Sequence, residues 1–363
     1  KSGRGGTHDT SPFLIVKLHT DVGLVGLGEA SCTPRWSGED QVSAAHFINT
    51  YFAPALIGQD PTRIDELTRT VFPLVAGNYF TKAAVEMALW DIAGKAAGKP
   101  VYELLGGKVR DAVTTKWSIS GTTPDRAAEI ARWALGHGFR AMKVKVGLSQ
   151  SRDGEGADAD FDRVAAVRSV IGPDIKLGVD ANGGWGDAAT AVAAIERLKP
   201  LGIAFAEQPV WAGDPEEMAA VRRAAGVPII ADESLYTLAD AQQLARAAAC
   251  DVFSIYVGKA GGIGPAKAIA DFALSRGIGC TIGSNLELGV GSAAMLHLGL
   301  AHRGITPDKY PCDIIGPFYY EADILKEPLD LGRGRAAPNG RPGLGVDLNE
   351  DMLEKYRGGG QRS

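Results

Sequence analysis

Residues 140–234 decide the fold, because four short apolar runs there are separated by Ala-rich stretches of helical character. The runs are RAMKVKVG (140–147), IKLGVDAN (175–182), IAFAEQP (203–209) and PIIADES (228–234). Similar runs continue the alternation at 113–120, 251–258, 277–284 and 312–317. Parallel strands need helical crossovers of this kind. An open doubly wound sheet has the same local texture, but eight strands favour an α/β fold of the TIM type, a (β/α) barrel over residues 111–334.

Residues 1–110 have a different texture. Segment 13–31 alternates apolar and polar residues around an Asp-Val-Gly turn (21–23), which predicts a β-hairpin. Helical periodicity follows at 41–57, 61–74 and 80–98. These features predict a small α+β unit, and the tail at 335–363, rich in Gly, Pro and Arg, is expected to complete it.

The composition is that of an ordinary globular protein: 363 residues, 45% hydrophobic and 22% charged. A net charge of −5 argues against nucleic acid or a membrane surface as a partner, since both attract basic patches. The four cysteines are scattered without a CxxC pair, and no signal peptide or bilayer-length apolar run is found, which predicts a cytoplasmic location. A small-molecule partner and a homo-oligomer are expected.

Three predicted strands in succession end on an acidic residue: Asp180, Glu207 and Asp232. Strand ends of a barrel share one rim, where active sites lie, so the three carboxylates are expected to converge. Buried together they would repel one another, and a divalent cation removes that conflict. Because no His or Cys joins them, the oxygen ligands favour Mg²⁺ over Zn²⁺. Taken singly, each acid is equally explained as the cap of the helix that follows it.

Lysines accompany the acids. Lys143 and Lys145 lie on one face of the strand at 140–147, and Lys259 follows the strand at 251–258. Burying an ammonium group is costly, so each lysine either pairs with a carboxylate or has a chemical role. In the second interpretation, Lys143 and the metal lower the pKa of Lys145 enough for it to act as a base. Lys259 then offers a second acid or base on the opposite side.

These residues resemble those of a known group. The motifs are KVK (143–145), DAN (180–182), EQP (207–209), ADES (231–234) and KAGG (259–262), and they resemble the muconate lactonizing enzyme subgroup of the enolase superfamily. GEAS (28–31), KAAVEMALWDIAGK (82–95) and RPGLGVD (341–347) resemble its capping region.

The resemblance implies a role for each matching residue. Asp180, Glu207 and Asp232 become Mg²⁺ ligands, Lys145 and Lys259 become the acid–base pair, and Lys143 tunes Lys145. Residues 1–110, completed by 335–363, become a capping domain, with His8–Pro12 and Cys32–Glu39 as a specificity lid over the barrel.

The subgroup also follows from what stands after the seventh strand. The mandelate racemase branch has a histidine base there, whereas this chain has Gly283-Ser284-Asn285-Leu286-Glu287. The segment CDIIGPFYYEADIL (312–325) resembles muconate cycloisomerases, with Asp313 where that family has a glutamate. The pair of aspartates that dipeptide epimerases carry in this region is not found at 312–315.

The predicted function is therefore a Mg²⁺-dependent enzyme that forms an enolate from a carboxylate substrate, similar to muconate cycloisomerases. The alternatives are a racemase, epimerase or dehydratase of a small carboxylic or amino acid derivative, and behind these a non-catalytic or phosphate-binding barrel. The expected substrate contacts are Asp313, Glu287, Asn182, Arg35 and Trp36.

Overall fold

The computed structural model of the protein describes residues 2–3, 6–7, 10–148 and 155–358. Its strands are β1 (Ser2–Gly3), β2 (Gly6–Thr7), β3 (Leu14–His19), β4 (Val25–Ala30), β5 (Val113–Thr114), β6 (Trp117–Ile119), β7 (Ala141–Lys145), β8 (Lys176–Asp180), β9 (Ala206–Glu207), β10 (Ile229–Ala231), β11 (Val252–Ile255), β12 (Gly279–Ile282) and β13 (Arg335–Ala336). Within this part of the chain, β6 to β12 form a seven-stranded parallel sheet in sequential order. The predicted alternation of strands and helices is present along it.

Helices fill the connections between the strands. They are α1 (Pro34–Ser37), α2 (Gln41–Phe47), α3 (Ala53–Leu56), α4 (Ile64–Val71), α5 (Tyr79–Ala97), α6 (Val101–Leu104), α7 (Pro124–Gly136), α8 (Glu155–Ile171), α9 (Ala188–Leu198), α10 (Pro215–Ala225), α11 (Leu238–Arg246), α12 (Val257–Ala260), α13 (Ile263–Arg276), α14 (Gly289–Ala301) and α15 (Glu350–Lys355). Among the described residues, no helix is both long and apolar enough to cross a membrane. All four cysteines are buried free thiols.

The strand predicted at 312–317 does not form as a regular strand. Cys312 makes only an isolated parallel bridge to Thr115, while the backbone N–H of Asp313 donates to the carbonyl of Ile282 in β12 at 2.8 Å. Ile315 then leaves the extended conformation (φ −140°, ψ 2°), and a 3₁₀ turn with Pro at its second position begins at Gly316. Proline has no N–H to continue a ladder, so pairing stops after the first residues of this segment.

The N-terminal hairpin β3–β4 packs against α5. Two glycines of β4, Gly26 and Gly28, allow this approach: a Cβ at Gly28 would lie 1.7 Å from the carbonyl oxygen of Ala84. The tail contacts this unit: the Asp91 carboxylate of α5 accepts backbone N–H groups from both Leu27 (2.9 Å) and Leu344 (2.8 Å). Hairpin, helix and tail therefore share one buried carboxylate.

Carboxylates of the N-terminal unit also bind the amino ends of helices beside the sheet. Glu86 of α5 accepts the N–H groups of Ile263 and Gly264, both at 2.7 Å, at the start of α13. Glu29 of β4 accepts the N–H groups of Leu288 (2.7 Å) and Gly291 (2.8 Å) at the start of α14. The first turn of a helix leaves such donors unpaired, so these acids fasten the N-terminal unit to the loops that surround the site.

Candidate active site

The three predicted acids lie at the carboxyl ends of adjoining strands. Asp180 ends β8 and is in register with Glu207, which ends β9, while Asp232 directly follows β10. All three side chains are buried. A parallel sheet with sequential strand order brings the carboxyl ends of neighbouring strands to the same edge, which is why the spacing along the chain placed these residues together.

Lysine ammonium groups contact all three acids. Lys143 Nζ lies 2.6 Å from Glu207 Oε1 and 3.1 Å from Asp180 Oδ2. Lys145 Nζ lies 2.6 Å from Asp180 Oδ2, and Lys259 Nζ lies 2.6 Å from Asp232 Oδ1. The row of acids is therefore flanked by Lys145 at one end and Lys259 at the other.

Burial and charge shift the pKa values of this group in opposite directions. Burial raises the pKa of Asp180, but Lys145 and Lys143 outweigh it and hold that pKa well below its usual range. Burial raises the pKa of Glu207 to about 8, and the neighbouring charges of Asp180 and Asp232 add to this despite Lys143. Glu207 therefore binds a proton more readily than an ordinary glutamate.

The pKa of Lys145 is raised, whereas a lowered pKa was expected from the sequence. Burial lowers it, and Lys143 lowers it as predicted, but the charges of Asp180 and Glu207 raise it further, so the balance lies above the ordinary value for lysine. Lys145 is an ammonium group in this arrangement, held between Asp180 and the amide oxygen of Asn182 at 2.8 Å.

The carboxylate oxygens of Asp180, Glu207 and Asp232 are suitable ligands for a hard divalent cation. In this structure the same carboxylates form ion pairs with lysines. Among the described residues, no three His, Cys, Asp or Glu side chains are grouped closely enough to hold a metal ion as they stand. Glu207 Oε2, however, is buried and has no hydrogen-bond partner in the described part of the chain. A buried carboxylate oxygen without a donor is costly, and a hard cation satisfies it.

A cavity of about 810 Å³ opens beside these strand ends. The residues that line it come from both the N-terminal unit and the sheet: Thr10, Ser11, Pro12, Cys32, Thr33, Pro34, Arg35, Trp36, Ser118, Ser120, Lys143, Lys145, Asn182, Gly183, Gln208, Trp211, Ala212, Glu233, Tyr236, Tyr256, Ser284, Asn285, Leu286, Asp313, Ile315 and Tyr319. The structure thus brings Arg35, Trp36, Asn182 and Asp313 to one cavity. Of the predicted lid, His8 and Asp9 lie outside the described residues.

Glu287 is a correction to the expected substrate contacts. It is not among the described residues that line the cavity, although Ser284, Asn285 and Leu286 just before it are. Its carboxylate turns back and accepts hydrogen bonds from the hydroxyl of Ser284, from the backbone N–H of Asn285 (3.1 Å) and from the hydroxyl of Ser31 (3.4 Å). It stabilises the loop rather than facing the cavity.

Lys259 is enclosed by aromatic rings. Its ammonium lies 4.1 Å from the centre of the Tyr256 ring, and its side chain is 1% exposed. Trp36 stacks on Tyr256, with ring centres 5.5 Å apart, and its indole N–H donates to Glu233 at 3.2 Å. Trp36 therefore contacts both the ring beside Lys259 and the residue next to Asp232.

Three residues of the site were not anticipated from the sequence. Glu233, whose pKa burial raises to about 7 with Asp232 and Asp180 adding to the shift, could have been suspected because it directly follows Asp232. The Tyr256 hydroxyl donates to Asp232 at 2.6 Å, and no sequence signal indicated it. Lys116 interrupts the apolar run at 113–120, which was a usable signal.

Comparison with known proteins covers both parts of the chain. Residues 4–106 match the mandelate racemase / muconate lactonizing enzyme N-terminal domain, and residues 125–352 match the enolase C-terminal domain-like family. The chain is 34% identical to N-succinyl-L-Arg/Lys racemase of Bacillus cereus, covering 96% of this chain and 91% of that protein. It is 32% identical to a chloromuconate cycloisomerase of Cupriavidus pinatubonensis, covering 97% and 92%.

Solved structures give the same result. The crystal structure of N-succinyl Arg/Lys racemase from Bacillus cereus superposes with a TM-score of 0.89, covering 95% of this chain and 90% of that chain at 34% identity. Muconate lactonizing enzyme from Pseudomonas putida superposes with a TM-score of 0.89 over 95% and 94% at 29% identity.

Proposed function

Because the chain belongs to the muconate lactonizing enzyme subgroup of the enolase superfamily and is an isomerase, we propose that it forms an enolate from a small carboxylate by proton transfer at the α-carbon. The observation that carries this proposal is the row of Asp180, Glu207 and Asp232, flanked by Lys145 and Lys259. Superfamily membership implies a divalent metal, typically Mg²⁺.

Asp180, Glu207 and Asp232 would hold the Mg²⁺, which supplies positive charge that stabilises the oxygen of an enolate. Lys145 lines the cavity and is oriented by Asp180 and Asn182, so it is the residue that delivers the α-proton as an ammonium group. To take that proton it must first lose its own, which the positive charge of a bound cation would favour. Lys259, at the other end of the row, would serve the opposite face of the substrate, although it is buried and is not among the described residues that line the cavity. Trp36 and the rings beside it exclude water from this end of the cavity.

Two reactions of this class remain candidates. A cycloisomerisation is favoured by the segment 312–325 and by the cycloisomerase relatives. In that reaction the enolate would form by internal addition, and one lysine would deliver a proton. A racemisation is favoured by the lysines at both ends of the acid row and by the racemase relative, since inversion needs a base on each face. The pair of aspartates expected for dipeptide epimerases is not found at 312–315, and this argues against a dipeptide substrate.

We also propose that the parallel sheet closes into a (β/α) barrel through the segment at 312–313. Its support is that this segment hydrogen-bonds on both sides, to Ile282 of β12 and, through the N–H of Lys116 to the carbonyl of Cys312 (2.9 Å), to the chain entering β6. Residues 1–110 with 335–363 would then be the capping domain and 111–334 the barrel.

The proposed function is tested by solvent exchange. The protein with MgCl₂ in D₂O is incubated with N-succinyl amino acids and with cis,cis-muconate, and the products are followed by NMR. Deuterium at the α-carbon of both enantiomers indicates racemisation, whereas a lactone carrying one deuterium indicates cycloisomerisation. Folded protein that exchanges no α-proton in any of a wide panel of carboxylic acids, and forms no lactone from cis,cis-muconate, would contradict the proposal.

A further inference from the structure

Lys116 is a buried cation that the proposed reaction does not use. Its side chain is 1% exposed, and it is not among the described residues that line the cavity. Its Nζ lies 2.6 Å from the carbonyl oxygen of Pro311 and 2.9 Å from Asp313 Oδ2. An ammonium group is buried this deeply only where its charge is compensated, so Asp313 is its counter-ion.

The same oxygen of Asp313 also faces Lys143. Lys143 Nζ lies 3.2 Å from Asp313 Oδ2, which is longer than its 2.6 Å contact with Glu207 and its 3.1 Å contact with Asp180. One carboxylate oxygen is thus shared by two ammonium groups, and Lys116 holds it more closely. Lys143 therefore lies nearer to Glu207 and Asp180, two of the proposed metal ligands, than to Asp313.

We propose that Lys116 is a positioning residue that occupies Asp313 and thereby keeps Lys143 on Glu207 and Asp180. Without Lys116, Lys143 would be the only ammonium on Asp313 and would move toward it. Glu207 would then lose its shortest ion pair, while Asp180 would retain Lys145. This inference rests on the proposed function only in taking Asp180 and Glu207 as cation ligands.

Removing the charge of Lys116 and removing the charge of Asp313 should change the affinity for a divalent cation in opposite directions. In Lys116→Met, Lys143 competes less for Glu207, so a divalent cation binds more tightly. In Asp313→Asn, Lys143 stays wholly with Glu207 and Asp180, so the cation binds more weakly. The double variant removes the ammonium of Lys116 together with its counter-ion Asp313, so no unpaired charge is left in the interior. The affinity for the cation then returns toward that of the wild type.

The test uses MnCl₂ as the probe on the full chain, with affinity measured by calorimetry and by the electron paramagnetic resonance signal of free Mn²⁺. We expect Lys116→Met to bind Mn²⁺ at least threefold more tightly, Asp313→Asn at least threefold more weakly, and the double variant within twofold of the wild type. A merely destabilised site would weaken binding in both single variants. Unchanged affinity in Lys116→Met, or a loss like that of Asp313→Asn, overturns the proposal.

Two controls complete the experiment. Lys267→Met removes a half-exposed lysine of α13 and is expected to leave Mn²⁺ affinity unchanged. If Lys116→Met does not fold by circular dichroism, Lys116→Gln, which keeps a donor for Pro311, takes its place with the same expected direction. Because Mn²⁺ binding needs no substrate, a wild type without turnover would count against the proposed function and leave this measurement intact.

Discussion

Lys145 lines the cavity and is held in place by two partners, Asp180 and Asn182. Lys145→Met removes the amine, while Lys143 remains within 3.1 Å of Asp180, so the acid keeps a cation. We expect kcat to fall by about 10²–10⁴-fold, as for loss of a general acid or base, with Mg²⁺ binding retained. Steady-state kinetics and calorimetry check this, with Lys267→Met as the matched control. Full activity in the Lys145→Met variant would show that Lys145 is not the residue that transfers the proton.

Residues that follow a regular spacing could be predicted, and those that depend on side-chain direction could not. Asp180, Glu207 and Asp232 recur once per strand–helix unit, so the topology alone brings them to one edge. Glu287 also follows a strand, but its carboxylate is satisfied by Ser31 and Ser284 and turns away from the cavity. A hydrogen bond to a residue more than 250 positions away leaves no local trace in the sequence.

At the scale of elements, the contact of β4 with α5 depends on the absence of a side chain. Gly28→Ala would place a methyl group 1.7 Å from the backbone oxygen of Ala84, which cannot move without shifting α5. We expect a loss of about 3 kcal/mol or more in the free energy of unfolding, at the upper end of overpacking. Urea unfolding measures it.

Gly136→Ala is the matched control for this substitution. Gly136 lies in α7 and has nothing within 4 Å of an added Cβ among the described atoms. Alanine there should be neutral or stabilise by up to about 1 kcal/mol. Equal losses in both variants would contradict the close packing of β4 on α5.

The contact of β4 with α14 predicts a dependence on pH. Burial raises the pKa of Glu29 to about 8, above its ordinary value of 4.5, although the N–H groups of Gly291 and Leu288 oppose the shift. The folded state therefore binds a proton that the unfolded chain releases between about pH 5 and 8. This contribution to stability is fully present below about pH 4.5 and is lost as pH rises from there through 8, by on the order of 5 kcal/mol at most.

Glu29→Gln should remove this part of the pH dependence. We expect the variant to lose less stability than the wild type between pH 5 and 8, measured by urea unfolding at a series of pH values. Glu354→Gln, in the exposed helix α15, is the control and should follow the wild-type curve. A wild-type slope that persists in Glu29→Gln would assign the effect to other groups.

For the whole molecule, the order of strands was predictable because hydrophobic runs and helical stretches alternate along the chain. Two segments were exceptions. The run at 113–120 divides into β5, which pairs antiparallel with β13, and β6, which joins the parallel sheet. At 312–317 the apolar residues suggested a strand, but Gly316-Pro317 ends pairing after Asp313. The role of the tail was predictable only in outline. Its anchoring through Asp91 requires knowing that Leu27 and Leu344 meet the same carboxylate.

Removing the tail tests this anchoring. In a chain that ends at Pro342, Asp91 of α5 loses the N–H of Leu344, and Pro100, between α5 and α6, loses its bridge to Gly343. We expect a lower Tm and earlier proteolysis of the hairpin β3–β4 than of the sheet. Lys17→Met removes only an exposed ion pair with Glu350 and should change stability by less than about 1 kcal/mol. Wild-type resistance in the shortened chain would contradict a structural role for the tail.

Glu29 and Glu86 have a consequence for engineering by recombination. Each belongs to the N-terminal unit, yet each supplies the acceptor that the first turn of α14 or α13 lacks in its own sequence. A chimaera that grafts another enzyme's first hundred residues onto this one must therefore import matching carboxylates at both places. Grafts chosen for their substrate loops alone should yield insoluble protein, and restoring the two acids should recover it.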